Sequence, residues 1–123
     1  MIHLDTNFLI DALVPGSVEE ASLQQWLASG EPLGISSVAW GEFLCGPLSP
    51  AAETFARGLF PTAEPLERAD AEKAAKLFNL TGRRAKTYND CCIAAIAMRS
   101  HASLATSNLA DFTPLTAHGL TLV

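Results

Sequence analysis

Short apolar runs alternate along this chain with longer segments in which apolar residues recur at helical spacing. Four runs have the composition of buried strands, and a fifth, Phe60–Ala63, is a weaker candidate. The strand candidates besides Phe60–Ala63 are Met1–Leu4, Pro32–Ile35, Leu104–Thr106 and Leu120–Val123. The segments between them predict helices over 7–14, from Ser17 to near Gly30, from Ser36 or Ser37 to Gly46, from Ser49-Pro50 onward, over 67–80, and from Thr87 or Asn89 through Met98.

Residues that favour helix ends mark several of these boundaries. Ser17 followed by Glu20 has the spacing of a capping box, and Pro50 suits the first turn of a helix. Strands that alternate with helices predict a parallel sheet covered on both faces, here with four or five strands. We find no linker or repeat, so residues 1–123 are expected to form a single domain.

The composition fits a compact domain in a reducing compartment. Hydrophobic residues make up 49% of the chain and charged residues 17%, which is enough apolar material for one core. No apolar run approaches the roughly 20 residues that cross a bilayer, and no secretory signal is visible at the N-terminus. Cys45, Cys91 and Cys92 form no CxxC pair, so a disulfide framework and a zinc site are not expected. We therefore expect a cytoplasmic protein that has no association with a membrane.

Three acidic residues lie next to or within apolar segments. Asp5 follows the first strand, Glu42 lies inside an apolar helix, and Asp90 is at the start of the most apolar helix. A buried carboxylate costs several kcal/mol unless a positive charge meets it, and no lysine or arginine is adjacent to Asp5 or Glu42. Hard oxygen ligands suit Mg²⁺ or Mn²⁺, and a metal held by carboxylates indicates phosphodiester chemistry. The net charge of −5 argues against a broad nucleic-acid-binding surface but is compatible with such a small site.

The predicted topology would bring these acidic groups together. Sites in parallel sheets lie at the carboxyl ends of the strands, where Asp5 is predicted to lie. Each acidic residue also has a simpler interpretation: Asp5 as a helix cap, Glu42 as an exposed helical side chain, and Asp90 as the acidic end of a capping box with Thr87. The basic residues Arg83, Arg84 and Lys86 precede Asp90 and would either neutralise it or contact a substrate phosphate.

Two further residues follow the strand at Leu104–Thr106 and are candidates for a fourth site group. Asn108 is favoured by its position and Asp111 by its charge, and the sequence does not rank them. Both also suit the start of a short helical turn. Thr6 or Ser107 would orient the ligands through their hydroxyl groups.

Four stretches in this order resemble the PIN domain family, and within it the small VapC-type toxin ribonucleases. They are Leu4-Asp5-Thr6-Asn7, the segment from Ser36 to Gly46, the segment from Asn89 to Ala97, and the segment from Leu104 to Phe112. The resemblance implies a three-layer α/β/α sandwich and metal-dependent cleavage of RNA. It implies that Asp5, Glu42 and Asp90 form the acidic triad and that Asn108 occupies the fourth position, where asparagine puts the binding of a second metal ion in question.

The resemblance also implies partners. Toxins of this type form homodimers and bind a cognate antitoxin protein, which masks the acidic site, often with an arginine side chain. The function expected from the sequence is therefore that of an endoribonuclease toxin. A housekeeping RNA-processing nuclease and a PIN-like binding module without activity are the alternatives. A phosphatase of the haloacid-dehalogenase type is disfavoured, because Asn7 stands where that class needs a second aspartate.

Overall fold

The sheet of this protein consists of three short parallel strands in the order β2-β1-β3. The computed structural model describes residues 1–83 and 88–123. In that part of the chain the strands are β1 (Ile2–Leu4), β2 (Leu33–Gly34) and β3 (Ser103–Ala105). The helices are α1 (Thr6–Ala12), α2 (Val18–Ser29), α3 (Ser37–Cys45), α4 (Pro50–Leu59), α5 (Arg68–Leu80), α6 (Tyr88–Arg99) and α7 (Leu109–Phe112), with a 3₁₀ helix over Thr113–His118.

Serine side chains cap three of the helices at the predicted places. The hydroxyls of Ser17, Ser36 and Ser49 each accept a backbone N–H from the residue three positions later. Each bond satisfies a donor that has no partner within the helix, so these residues fix where α2, α3 and α4 begin. Glu20 completes the first cap, although its carboxylate accepts the N–H of Gly16 rather than that of Ser17.

The prediction of four or five strands was wrong in detail, because one candidate strand does not form and another is reduced to an isolated bridge. Phe60–Ala63 is not a strand, and the chain pairs with the sheet region only where Glu64 meets Ser36. Pro61 lacks an N–H and cannot donate to a ladder, which disfavours a strand at this point. Near the C-terminus, pairing is confined to one bridge between Leu122 and Leu104. The three paired strands therefore account for the sheet in the residues that the structure describes.

The connections between strands run in opposite directions along the sheet on the two sides of β1. The chain crosses from β1 to β2 on one side and then returns past β1 to β3 on the other. Because parallel crossovers are right-handed, connections that run in opposite directions cover opposite faces of the sheet. The crevice beside the carboxyl end of β1, between the two connections, is where α/β proteins of this topology bind their ligands.

Helix α6 is buried along seven consecutive residues, Cys91–Ala97. Together with buried side chains of the strands and of α3 it forms the main core, in which Leu4, Phe43 and Leu104 have no exposed surface. Cys91 and Cys92 are free thiols within this core, as predicted. Burial raises the pKa of Cys91 to about 11, with a further contribution from the charge of Asp90. No helix in the described ranges is long and apolar enough to cross a membrane.

Candidate active site

Asp5 lies at the carboxyl end of β1, where the strand gives way to α1. Its side chain is only 3% exposed. Oδ1 accepts the backbone N–H of Thr6 at 2.8 Å, so the carboxylate caps α1 as the simpler interpretation of the sequence predicted. The backbone N–H of Asp5 donates to the carbonyl of Ala105 at 2.9 Å. Asp5 is thus held both by the helix that follows it and by the neighbouring strand.

The second carboxylate oxygen of Asp5 binds a hydroxyl from the other end of the chain. Oγ1 of Thr106 donates to Oδ2 of Asp5 at 2.9 Å and accepts the backbone N–H of Asn108 at 2.9 Å. Ser107 was one of two residues predicted for such a role, but its hydroxyl donates to Glu19 at 3.3 Å. Thr106 lies in the family-like segment from Leu104 to Phe112, but the orienting role was predicted for Thr6 or Ser107 instead. Its position at a strand tip beside Asn108 was the available signal.

Glu42 reaches the same region from α3. Oγ1 of Thr6 donates to Oε1 of Glu42 at 3.1 Å and also lies 3.4 Å from the carbonyl of Ala39. Thr6 therefore contacts both predicted acidic residues, Asp5 through its N–H and Glu42 through its hydroxyl. Glu42 is half-buried, which agrees with a helix face that points inward rather than into solvent.

Asn108 and Asp111 lie in the segment that follows β3. Asn108 occupies the position before α7, and its side chain makes no capping hydrogen bond. Asp111, in the first turn of α7, is half-buried and close enough to Asp5 for its charge to act on that carboxyl group. These residues start a short helical turn, as expected, although Asn108 does not cap it through its side chain. The role of either residue as a fourth site group stays a prediction.

Asp90 lies in the first turn of α6 and is half-buried. This helix packs against α3, which carries Glu42. The proposed capping partner Thr87 and the basic residues Arg84 and Lys86 lie outside the described residues. The participation of Asp90 in the site stays a prediction.

The carboxylate of Asp5 lies in surroundings that disfavour its charged form. Its pKa is raised above the ordinary value of 3.8, first because burial disfavours the charged form and also because Glu42 and Asp111 add negative charge nearby. The hydrogen bonds from Thr106 and Thr6 act in the opposite direction without overcoming the burial. In the described part of the chain no ion pair involves Asp5, Glu42 or Asp111.

A second buried aspartate shows how the same fold neutralises an acidic group that serves structure. Asp70 is also 3% exposed, but Nε of Arg99 lies 2.9 Å from its Oδ1 and 3.1 Å from its Oδ2. The sequence analysis did not single out this pair, because the two residues are 29 positions apart on different helices. Asp5 has no such partner among the residues described, and this difference separates a structural carboxylate from a candidate ligand.

The oxygen donors near Asp5 are of the chemical type that binds a hard divalent cation. Carboxylate oxygens of Asp5, Glu42 and Asp111, with an amide at Asn108, are ligands that Mg²⁺ and Mn²⁺ prefer. Excess negative charge on a buried group is what such an ion would offset. Over residues 1–83 and 88–123, no three His, Cys, Asp or Glu side chains are arranged to hold one ion between them. The ligand set is therefore a proposal.

Comparison with known proteins identifies the family. The model of the PIN domain matches residues 2–112 of this chain. No curated protein sequence matches it. Similar solved structures include VapBC2 from Rickettsia felis bound to a DNA fragment from their promoter, with a TM-score of 0.76 and 19% identity over 100% of this chain and 98% of that one.

Two further structures show the same likeness. A toxin-antitoxin complex from Klebsiella pneumoniae has a TM-score of 0.70 and 25% identity over 91% of this chain and 90% of that one. VapC20 from Mycobacterium tuberculosis, a Sarcin-Ricin loop cleaving toxin, has a TM-score of 0.70 and 19% identity over 100% and 98%. The predicted α/β/α sandwich is confirmed by this likeness, apart from the number of strands. The chain belongs to the PIN domain family.

Proposed function

We propose that this protein is a metal-dependent endoribonuclease and the toxin of a type II toxin-antitoxin pair. The observation that carries the proposal is the buried carboxylate of Asp5, which has acidic neighbours and no basic partner in the described residues. Membership of the PIN domain family and a fold shared with a toxin that cleaves the Sarcin-Ricin loop support the choice of RNA as substrate.

In this proposal Asp5, Glu42 and Asp90 hold Mg²⁺ or Mn²⁺, and Asn108 or Asp111 completes the site. An ion of this kind, when bound, activates water for attack on a phosphodiester and offsets the charge that builds on the phosphate.

The protein's own residues prepare the place for that chemistry. Thr106 and the N–H of Thr6 fix the two oxygens of Asp5, so the carboxylate does not need to reorient during the reaction. The hydroxyl of Thr6 holds Glu42 beside it. Attack by water would leave a 5′-phosphate and a 3′-hydroxyl on the RNA fragments. A 2′,3′-cyclic phosphate product would contradict this route.

The proposed partners are a cognate antitoxin and a second copy of the chain. Support for an antitoxin comes from a structural neighbour, the toxin-antitoxin complex from Klebsiella pneumoniae. A cationic side chain of an antitoxin would suit the acidic site, because a guanidinium group pairs well with carboxylates and would stand in for the positive charge of the metal.

Purified protein tests the proposal directly. Incubated with single-stranded and with hairpin RNA, it should cleave internally when Mg²⁺ or Mn²⁺ is present and stop when EDTA is added. Asp5→Asn should remove cleavage, whereas Asp11→Asn, the same substitution at an aspartate outside the site, should retain it. Equal activity of wild type and Asp5→Asn would refute the site. A wild-type protein that binds RNA without cutting it would favour the alternative of an inactive binding module.

Toxicity separates the proposed toxin from a housekeeping nuclease. Controlled expression of the wild type should arrest growth, Asp5→Asn should not, and mapping of RNA ends across all transcripts should reveal the target. Broad trimming of RNA ends without growth arrest would instead indicate a processing nuclease.

A further inference from the structure

Positive charge is concentrated in one part of this acidic chain. The protein carries 8 lysines and arginines against 13 aspartates and glutamates. Helix α5 carries the basic residues Arg68, Lys73 and Lys76, and Arg83 lies three residues beyond its end. A nuclease with a net charge of −5 and an acidic centre repels a polyanion, so a local cationic surface is needed to hold one.

Most other arginines in the described ranges already have acidic partners. Arg57 pairs with Glu53, and Arg68 pairs with Glu72, each with a contact of about 3 Å between helical neighbours. Arg99 forms ion pairs with Asp70 in α5, with Glu67 just before that helix, and with Glu64. These positive charges are already compensated by carboxylates, so they would attract an external anion only weakly.

Lys73 and Lys76 are different. Both are exposed, and within the part of the chain that the structure describes neither forms an ion pair. They lie three positions apart on α5 and line one side of a cavity of about 180 Å³ together with Leu77 and Leu80. Residues at this spacing share a helix face, so the two ammonium groups serve the same cavity.

His118, at the end of the 3₁₀ helix, lines the same cavity. Among the described residues that line it, none is acidic. Lys73 also borders a neighbouring cavity of about 280 Å³ between α5 and α6, in which the carboxylate of Asp70 is taken up by Arg99. Two ammonium groups and an imidazole around a space with no acidic lining are suited to an oxygen anion such as a phosphate.

We infer that Lys73, Lys76 and His118 form a binding site for the phosphate backbone of the RNA substrate. The inference rests on the proposed nuclease function, which it extends by naming a surface that holds the RNA apart from the acidic centre. The lysines supply charge, and His118 supplies a further hydrogen-bond donor from a separate element. Because contacts of this kind go to phosphates, the site contributes affinity without selecting sequence.

Salt dependence of binding measures the contribution of such contacts. The probe is a fluorescently labelled single-stranded RNA, titrated by anisotropy with protein carrying Asp5→Asn so that cleavage does not intervene. The test variant adds Lys73→Gln and Lys76→Gln. The matched control instead adds Arg57→Gln and Arg68→Gln, which remove the same net charge from exposed positions that are already paired with acidic residues.

Loss of two phosphate contacts should reduce the slope of the logarithm of RNA affinity against the logarithm of salt concentration by a definite amount. Between about 50 and about 200 mM salt, the parent protein should lose roughly sevenfold more affinity than the lysine variant, because each released counterion adds to the salt dependence. The arginine control should follow the parent. Equal slopes for the lysine and arginine variants would overturn the inference, since net charge alone would then explain the effect.

Two further measurements separate other outcomes. Wild-type cleavage of the same RNA is assayed independently, so a failure of the nuclease proposal is recognised as lack of metal-dependent cutting and not as a change in slope. A labelled poly-glutamate peptide is titrated in parallel. If the lysine variant loses binding to the peptide and not to the RNA, the surface serves an acidic protein and the inference is refuted.

Discussion

The hydroxyl of Thr106 donates a hydrogen bond of 2.9 Å to Oδ2 of Asp5, and the hydroxyl oxygen of Thr106 accepts the N–H of Asn108. A single side chain thereby ties the carboxylate at the end of β1 to the loop that follows β3. This contact orients a proposed metal ligand and also positions the segment that carries Asn108 and Asp111. Thr106 is accordingly a positioning residue for the candidate site.

Thr106→Val should weaken the site without changing the shape of the side chain. The substitution leaves one oxygen of Asp5 and the N–H of Asn108 without their partner, so we expect cleavage to fall about 10- to 100-fold. We also expect the free energy of unfolding to fall by about 1–3 kcal/mol. Thr106→Ser, which keeps the hydroxyl, should restore both. Single-turnover cleavage and the binding of Mn²⁺ followed by calorimetry would measure the effect. A valine variant with unchanged Mn²⁺ affinity and rate would show that the contact has no part in the site.

Asp5→Asn should make the metal-free protein more stable while it removes activity. The buried charge of Asp5 opposes folding, and asparagine removes that charge while it keeps the oxygen that accepts the N–H of Thr6. Its NH₂ group does not accept the hydroxyl of Thr106 as Oδ2 of Asp5 does, which offsets part of the gain. We expect a gain of about 1 kcal/mol in the free energy of unfolding at neutral pH, a size common where function and stability conflict. Urea denaturation in EDTA would measure it.

The pH dependence of that gain follows from the direction of the pKa shift. Because the pKa of Asp5 is raised in the folded state, its favourable contribution is fully present below 3.8 and is lost as pH rises through the folded value. The difference in stability between Asp5→Asn and wild type should therefore grow with pH across this window and then level off. A difference that shrinks as pH rises would have the opposite sign and would rule out burial as the cause.

A divalent ion should reverse the order of stability. Mn²⁺ at about one hundred times its dissociation constant would stabilise the wild type by about 2.7 kcal/mol, because it binds only the folded protein. Asp5→Asn should gain far less stability from Mn²⁺. Thermal unfolding scans in Ca²⁺-free buffer, with and without Mn²⁺, would show the difference. Equal shifts in the two proteins would place the bound ion somewhere other than Asp5.

The fourth position can be resolved by exchanging amide and carboxylate groups. Asn108→Asp should increase the affinity for Mn²⁺ if residue 108 is a ligand, since it adds a charge to the donor set. Asp111→Asn should decrease that affinity if Asp111 supplies the charge instead, as its electrostatic effect on Asp5 suggests. Titration of both variants by calorimetry discriminates the two. No change in either would exclude both residues from the site.

Arg99→Met should destabilise the fold with no direct effect on the chemistry. It leaves the carboxylate of Asp70 buried without its cation, a loss we expect to cost about 3 kcal/mol in the free energy of unfolding. Adding Asp70→Asn should recover part of that loss, because the uncompensated charge is gone. Urea denaturation of the single and double variants provides the comparison, and an unchanged single variant would mean that the ion pair contributes nothing net.

Sequence reasoning was most successful where local chemistry decides the outcome. The serine caps at Ser17, Ser36 and Ser49 each satisfy a nearby backbone donor, so the start of the helix is encoded within a few residues. The burial of α6 followed from its apolar composition. The position of Asp5 at a strand end followed from the run that precedes it.

Contacts between distant parts of the chain could not be predicted in this way. Whether Leu120–Val123 forms a strand depends on how much of β3 it meets, and the structure limits that meeting to Leu104. The pairing of Asp70 with Arg99 and the bond from Thr106 to Asp5 depend on the packing of separate elements. A sequence pattern shows that a group needs a partner, but only tertiary structure shows which group provides it.

The distance along the chain between Asp5 and Thr106 also bears on how the protein is made. The two residues are separated by 101 positions, so a ribosome has synthesised most of the polypeptide before the hydroxyl that orients the carboxylate exists. The pairing of β1 with β3 waits for the same late segment. A nascent or truncated chain that ends before this point lacks the hydroxyl of Thr106, so the proposed site is incomplete in it. On the proposed function, the cell that translates this message is thereby protected from its product until synthesis is nearly finished.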